Sequence, residues 1–89
     1  MRIYIIEDDP SVISILEDIV ERSKLGAVCG DTAEEPPNPE HIAAVGPDII
    51  LIDLLMPGKD GIQVIRELKE LGCTARFIMI SQVAAKEMV

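Results

Sequence analysis

The sequence predicts an α/β fold, with a parallel sheet covered by helices. Three observations predict it. Short, unbroken apolar runs rich in β-branched residues recur along the chain. Stretches with apolar positions at helical spacing lie between them. The two kinds of segment alternate as strand, helix, strand, helix, strand, helix, strand. Continuous rather than alternating apolar runs imply strands buried on both faces, as in a sheet with helices on either side. Right-handed crossovers distribute those helices over the faces. At 89 residues the chain holds one domain at most.

The strands come from Ile3-Tyr4-Ile5-Ile6, from Ile49-Ile50-Leu51-Ile52, from Phe77-Ile78-Met79-Ile80 and, more weakly, from Ala27-Val28-Cys29. The first helix opens at Asp9-Pro10, an acid at the N-cap followed by proline in the first turn. Its apolar face is read as Val12, Ile15, Leu16, Ile19 and Val20. Asn38-Pro39 repeats the opening signal before Glu40–Val45, and Gly46-Pro47 stops that helix. Ile62, Ile65, Leu68 and Leu71 make the third face, closed by Gly72. Gly30–Pro39, with three prolines and three acids, reads as an exposed loop.

Hydrophobic residues make up 48% of the chain and charged residues 27%, the balance of a globular domain rather than a disordered one. With no Trp, and Tyr4 and Phe77 as the only aromatics, the core is expected to be aliphatic. Sixteen acids against eight bases leave a net charge of −8. That argues against nucleic-acid binding by this chain, which needs clustered Lys and Arg. It fits a cation site or a basic partner as well as plain solubility. Cys29 and Cys73 form no CxxC or zinc spacing, so they read as reduced thiols. The opening MRIYIIEDD is too short an apolar run for a signal peptide, and nothing approaches a membrane span. The expected location is the cytoplasm.

In open parallel sheets ligands bind beyond the carboxyl ends of the strands. Glu7, Asp8 and Asp9 follow the first run, Asp53 follows the Ile49–Ile52 run, and Ser81 follows the last. If the strands carrying Glu7 and Asp53 are neighbours, Glu7, Asp8 and Asp53 converge in one crevice. Crowded carboxylates repel unless a cation or proton joins them, and an oxygen-only site of this kind suits Mg²⁺. Asp9 is explained as a helix cap by the proline after it. Asp53 has no such explanation, because apolar Leu54-Leu55-Met56 follow it. Neither GxGxxG, GxxxxGK[ST] nor GxSxG occurs. His41 reads as a solvated helix residue, and a Cys–His nucleophile pair has no positional support.

Three stretches, Ile5-Ile6-Glu7-Asp8-Asp9-Pro10, Asp53-Leu54-Leu55-Met56-Pro57-Gly58-Lys59-Asp60-Gly61 and Ile78-Met79-Ile80-Ser81, resemble the receiver domain of two-component response regulators. The resemblance runs from Arg2 to Val89 and implies a flavodoxin-like, doubly wound sheet of order 2-1-3-4. On this reading residues 1–89 are the N-terminal part of a receiver, with the fifth strand and last helix missing. It implies that Asp53 accepts a phosphoryl group from a histidine kinase or phosphotransfer protein. Asp8, Asp53 and the Leu55 backbone carbonyl would hold Mg²⁺, Glu7 would hold a metal-bound water, and Ser81 would hydrogen-bond the phosphoryl group as the switch hydroxyl. Met56-Pro57 and Gly61 would shape the loop after the acceptor. The implied role is a signalling switch controlling an output such as transcription, not a dedicated enzyme.

The chain departs from the family pattern at several points. It stops before the fifth-strand lysine and switch aromatic, Gln82 stands where a small residue is usual, and Lys86 reads as a solvated charge rather than a replacement for the lysine. The last apolar run then becomes a sheet edge, which predicts a homodimer or swapped oligomer. A phosphorylation-independent, receiver-like interaction module is the alternative reading. A haloacid-dehalogenase-like phosphatase would need a second acid two residues after Asp53, where this chain has Leu55.

Overall fold

The computed structural model describes residues 1–24, 26–32, 37–53 and 61–80. They form β1 (Arg2–Ile6), α1 (Pro10–Ser23), β2 (Ala27–Asp31), α2 (Pro39–Val45), β3 (Ile49–Asp53), α3 (Gly61–Glu70) and β4 (Arg76–Ile80). The strands make one parallel sheet in the order β2-β1-β3-β4. Both the alternation and the expected order therefore hold.

Each face of the sheet has its own helices. Tyr4, Ile6, Ile50 and Ile52 form one buried cluster with Ile42 of α2, Val64 and Leu68 of α3, and Ala75. The other buried apolar residues are Ile3, Ile5, Ile13 and Val20. Alternation along β1 sends Ile3 and Ile5 to the opposite face from Tyr4 and Ile6, the side taken by α1. Sheet strands with no polar face follow from this double cover. The core is aliphatic apart from Tyr4, which is buried.

The helix ends follow the capping signals. Asp9 accepts a hydrogen bond from the Ser11 N–H, with Pro10 at the first helical position. Asn38 accepts from the N–H groups of Glu40 and His41. Gly46 (φ +70°) and Gly72 (φ +81°) take the left-handed conformation that ends a helix. Asn38→Ala removes two acceptor contacts from a helix of only seven residues. It is expected to lower stability by about 1 kcal/mol in urea or thermal melts.

Three expectations need correction. On α1 the buried residues are Ile13 and Val20, while Ile15 and Ile19 are exposed. On α3 they are Gly61, Val64 and Leu68, while Ile62 and Leu71 are exposed. In both helices the stripe that meets the sheet is rotated from the one read from spacing. Gly30 and Asp31 are not loop but the end of β2, and Thr32 beyond them is buried. As expected for the last apolar run, β4 is an edge strand among the described residues: it pairs with β3 alone, and Ile78 and Met79 are 49% and 61% exposed.

The β1–β2 ladder carries one irregularity. Ile3 lies opposite Val28 but Tyr4 lies opposite Gly30, so β2 gains a residue at Cys29. The Cys29 thiol donates to the Ile3 carbonyl. Gly30 makes room for the Tyr4 ring, since a Cβ there would stand 2.6 Å from Tyr4 Cε2.

Candidate metal and phosphoryl-acceptor site

The site is built by register. Ile6 of β1 lies opposite Ile52 of β3. Glu7, just past β1, and Asp53, the last residue of β3, therefore stand at the same level and side by side. Asp8 follows at the turn into α1. One carboxylate oxygen from each of Glu7, Asp8 and Asp53 lies within 4.8 Å of the others. Glu7 is 1% and Asp53 3% exposed, whereas Asp8 is open to solvent. The group thus has two buried walls and one accessible member, facing out at the carboxyl end of the sheet.

The corner that carries the acids is held by hydrogen bonds. Glu7 Oε1 accepts from the N–H groups of Asp8 (3.0 Å) and Asp9 (3.1 Å). The Thr32 hydroxyl reaches across from the end of β2, accepting from the Glu7 N–H (3.1 Å) and donating to the Glu7 carbonyl (3.0 Å). Among the described residues no donor reaches the buried Glu7 Oε2. Buried carboxylate oxygens without a partner are costly, and one that faces other carboxylates is satisfied only by a proton or a cation. Burial pushes the Glu7 pKa up from 4.5 to about 7. The Asp8 carboxyl adds to the rise, the Asp9 N–H opposes it, and Asp53 adds again.

These features fit a hard divalent cation. The donor set is all oxygen, it gathers three carboxyl groups, and one buried oxygen, Glu7 Oε2, has no donor among the described residues. Mg²⁺ takes one or two carboxylates and keeps several waters, so the mixture of buried and open acids suits it.

Among the other candidates, His41 is exposed on α2, and Cys29 and Cys73 are free, partly buried thiols. Leu55, Met56, Pro57, Ser81, Gln82 and Lys86 lie outside the described residues. Gly61 is the buried first residue of α3. Thr32 is the contributor that the sequence did not reveal. It follows β2 in a polar, proline-rich stretch, and its contacts are made across the sheet rather than along the chain.

The family model for the response regulator receiver domain matches residues 3–89. The chain belongs to this family. As a receiver domain it is 44% identical, over its whole length, to the transcriptional regulatory protein GlnL of Bacillus subtilis (strain 168), and spans 28% of that protein. It is 28% identical to the chemotaxis protein CheY of the same organism, over 99% of this chain and 72% of CheY. The fold matches the solution structure of the Erythrobacter litoralis PhyR receiver domain with a TM-score of 0.72. That match has 24% identity and covers 99% of this chain and 67% of the other. Receiver domains are signalling modules that interact with histidine kinases or phosphotransfer proteins. No helix among the described residues is long and apolar enough to cross a membrane.

Proposed function

We propose that this receiver domain accepts a phosphoryl group on Asp53 and acts as the phosphorylation switch of a cytoplasmic response regulator. The observation that carries the reading is the convergence of Asp53 with Glu7 and Asp8 at the carboxyl end of the sheet. In the step itself, an Asp53 carboxylate oxygen attacks the phosphorus of a kinase phosphohistidine. The new O–P bond forms as the P–N bond breaks, and the imidazole leaves with the electron pair and takes up a proton. Such transfers need positioning and charge neutralisation more than covalent help. Bound Mg²⁺ supplies the charge neutralisation.

The chain's own residues divide the work. Asp8 and Asp53, with the Leu55 carbonyl, would hold the cation, and Glu7 would hold it through a water. Ser81 hydrogen-bonds the phosphoryl group, and its movement passes the signal on. The roles of Leu55 and Ser81 rest on the family motif in the sequence. Residues 1–89 supply the N-terminal part of the receiver, and the output it controls is transcription, in keeping with the name of the GlnL relative. A phosphorylation-independent interaction module is disfavoured, because it has no use for buried Glu7 and Asp53 brought together with Asp8, with Glu7 Oε2 lacking a donor among the described residues.

The test is incubation with Mg²⁺ and a small-molecule phosphodonor, read by intact mass. One phosphoryl increment, dependent on Mg²⁺, is expected. A folded protein that gains none overturns the reading.

The partner surface has a second component. Among the described residues the outer edge of β4 pairs with no strand, and exposed Ile78 and Met79 lie on it, an arrangement that invites strand pairing with another copy. Light scattering at high protein concentration is expected to show a dimer that Met79→Lys disperses. A clean monomer under those conditions counts against self-association.

A further inference from the structure

We propose that Thr32 is a positioning residue of the acidic site, its hydroxyl fixing the Glu7 main chain so that Glu7 and Asp8 stand ready for a divalent cation. The inference rests on the reading of Glu7, Asp8 and Asp53 as a cation site. It adds a residue from β2 to a site otherwise supplied by β1 and β3.

The geometry is specific. Thr32 is 7% exposed, and its one hydroxyl proton and one of its lone pairs are both spent on the same residue, Glu7. β1 ends at Ile6, so the peptide groups of Glu7 lie where the strand ladder stops. Buried main-chain groups without partners are rare and costly. The extra residue at Cys29 brings Asp31 opposite Ile5, and so carries Thr32 to the end of β1. Further hydrogen bonds within the Glu7–Asp9 corner are local. Glu7 accepts from Asp8 and Asp9, and Asp9 accepts from Ser11. The Thr32 hydroxyl ties the Glu7 main chain to the end of β2.

Three carboxylates held within 4.8 Å push one another apart. With Glu7 anchored at both its N–H and its carbonyl, the chain cannot relieve that repulsion by swinging the corner away from Asp53. Thr32 adds no charge and stands outside the carboxylate group, so its contribution is orientation. Groups that orient metal ligands in this way typically govern affinity by about 10- to 100-fold.

The test is calorimetric titration of the 89-residue protein with Mg²⁺, at a temperature where melts show each variant folded. Thr32→Val keeps the shape and removes the hydroxyl, and its Kd is expected to rise by about 10-fold or more. Thr32→Ser keeps the hydroxyl and should stay within about 3-fold of the parent, a gap well below that expected from losing an orienting group. If Thr32→Val does not fold, Thr32→Ala takes its place as the hydroxyl-free variant. Equal affinity in the parent and the hydroxyl-free variant overturns the role of Thr32 and leaves the cation site standing. A loss in Thr32→Ser as large as in Thr32→Val overturns it too, because the methyl group would then be responsible. A folded parent that binds no Mg²⁺ overturns the cation site and this inference with it.

Discussion

Asp53→Asn is expected to abolish the phosphoryl increment while leaving the protein folded. Asp53 is the last residue of β3 and is 3% exposed, so its carboxylate is presented by a rigid element and not by a mobile tip. Replacing one carboxylate oxygen with an amide nitrogen keeps the size and shape of the side chain. It removes the anionic nucleophile that forms the acyl phosphate. The change also takes one negative charge out of a group of three, which relieves repulsion with Glu7 and Asp8. The metal-free variant should therefore melt no lower than the parent, and a loss of phosphorylation in it cannot be blamed on unfolding. Its affinity for Mg²⁺ should fall, because a ligand charge is gone. Intact-mass measurement on parent and variant in parallel decides the matter. An increment that persists in Asp53→Asn places the acceptor on another side chain, solvent-open Asp8 first among them, and rules out Asp53 as the acceptor.

Much of this was legible in the sequence, for physical reasons that differ by element. A strand buried on both faces has no polar positions, so Ile3–Ile6 and Ile49–Ile52 declare themselves. The site follows from them, because parallel neighbours in register must release Glu7 and Asp53 together. Helix faces are less legible. α1 carries six apolar residues between Val12 and Val20, enough for two adjoining stripes. Only the docking of the helix selects Ile13 and Val20 and leaves Ile15 and Ile19 in solvent. Thr32 is the extreme case. Its role depends on a one-residue offset between β1 and β2 at Cys29, a feature of strand pairing that leaves no local pattern.

Stability of the metal-free protein is expected to fall as pH rises from about 5 to 8, with Glu7 as the principal cause. Its folded pKa is raised from 4.5 to about 7, first by burial and then by the neighbouring carboxyl groups of Asp8 and Asp53. Below pH 4.5 both folded and unfolded chains hold the proton, and the contribution is fully present. Between 4.5 and about 7 the unfolded chain releases it while the folded chain keeps it. Stability is lost progressively through this window and is gone above it. A rise of this size corresponds to a loss on the order of 3 kcal/mol.

Glu7→Gln should remove most of that slope. Its amide can keep an acceptor towards the N–H groups of Asp8 and Asp9 and place a donor where Oε2 has none. The variant should then be more stable than the parent at pH 8 and similar to it at pH 5. Glu17 of α1 shifts upward as well, chiefly through its side-chain hydrogen bond with Asp31. It titrates with the same sign, so a slope left in Glu7→Gln should shrink further on adding Glu17→Gln. Urea melts in the presence of a chelator at several pH values read all three proteins. A parent whose stability rises across this range, or a Glu7→Gln variant with an unchanged slope, would show that the buried carboxyl is not the titrating group. A cation competes with the same proton. Mg²⁺ affinity in the parent should therefore strengthen as pH passes 7, and in Glu7→Gln it should become nearly independent of pH.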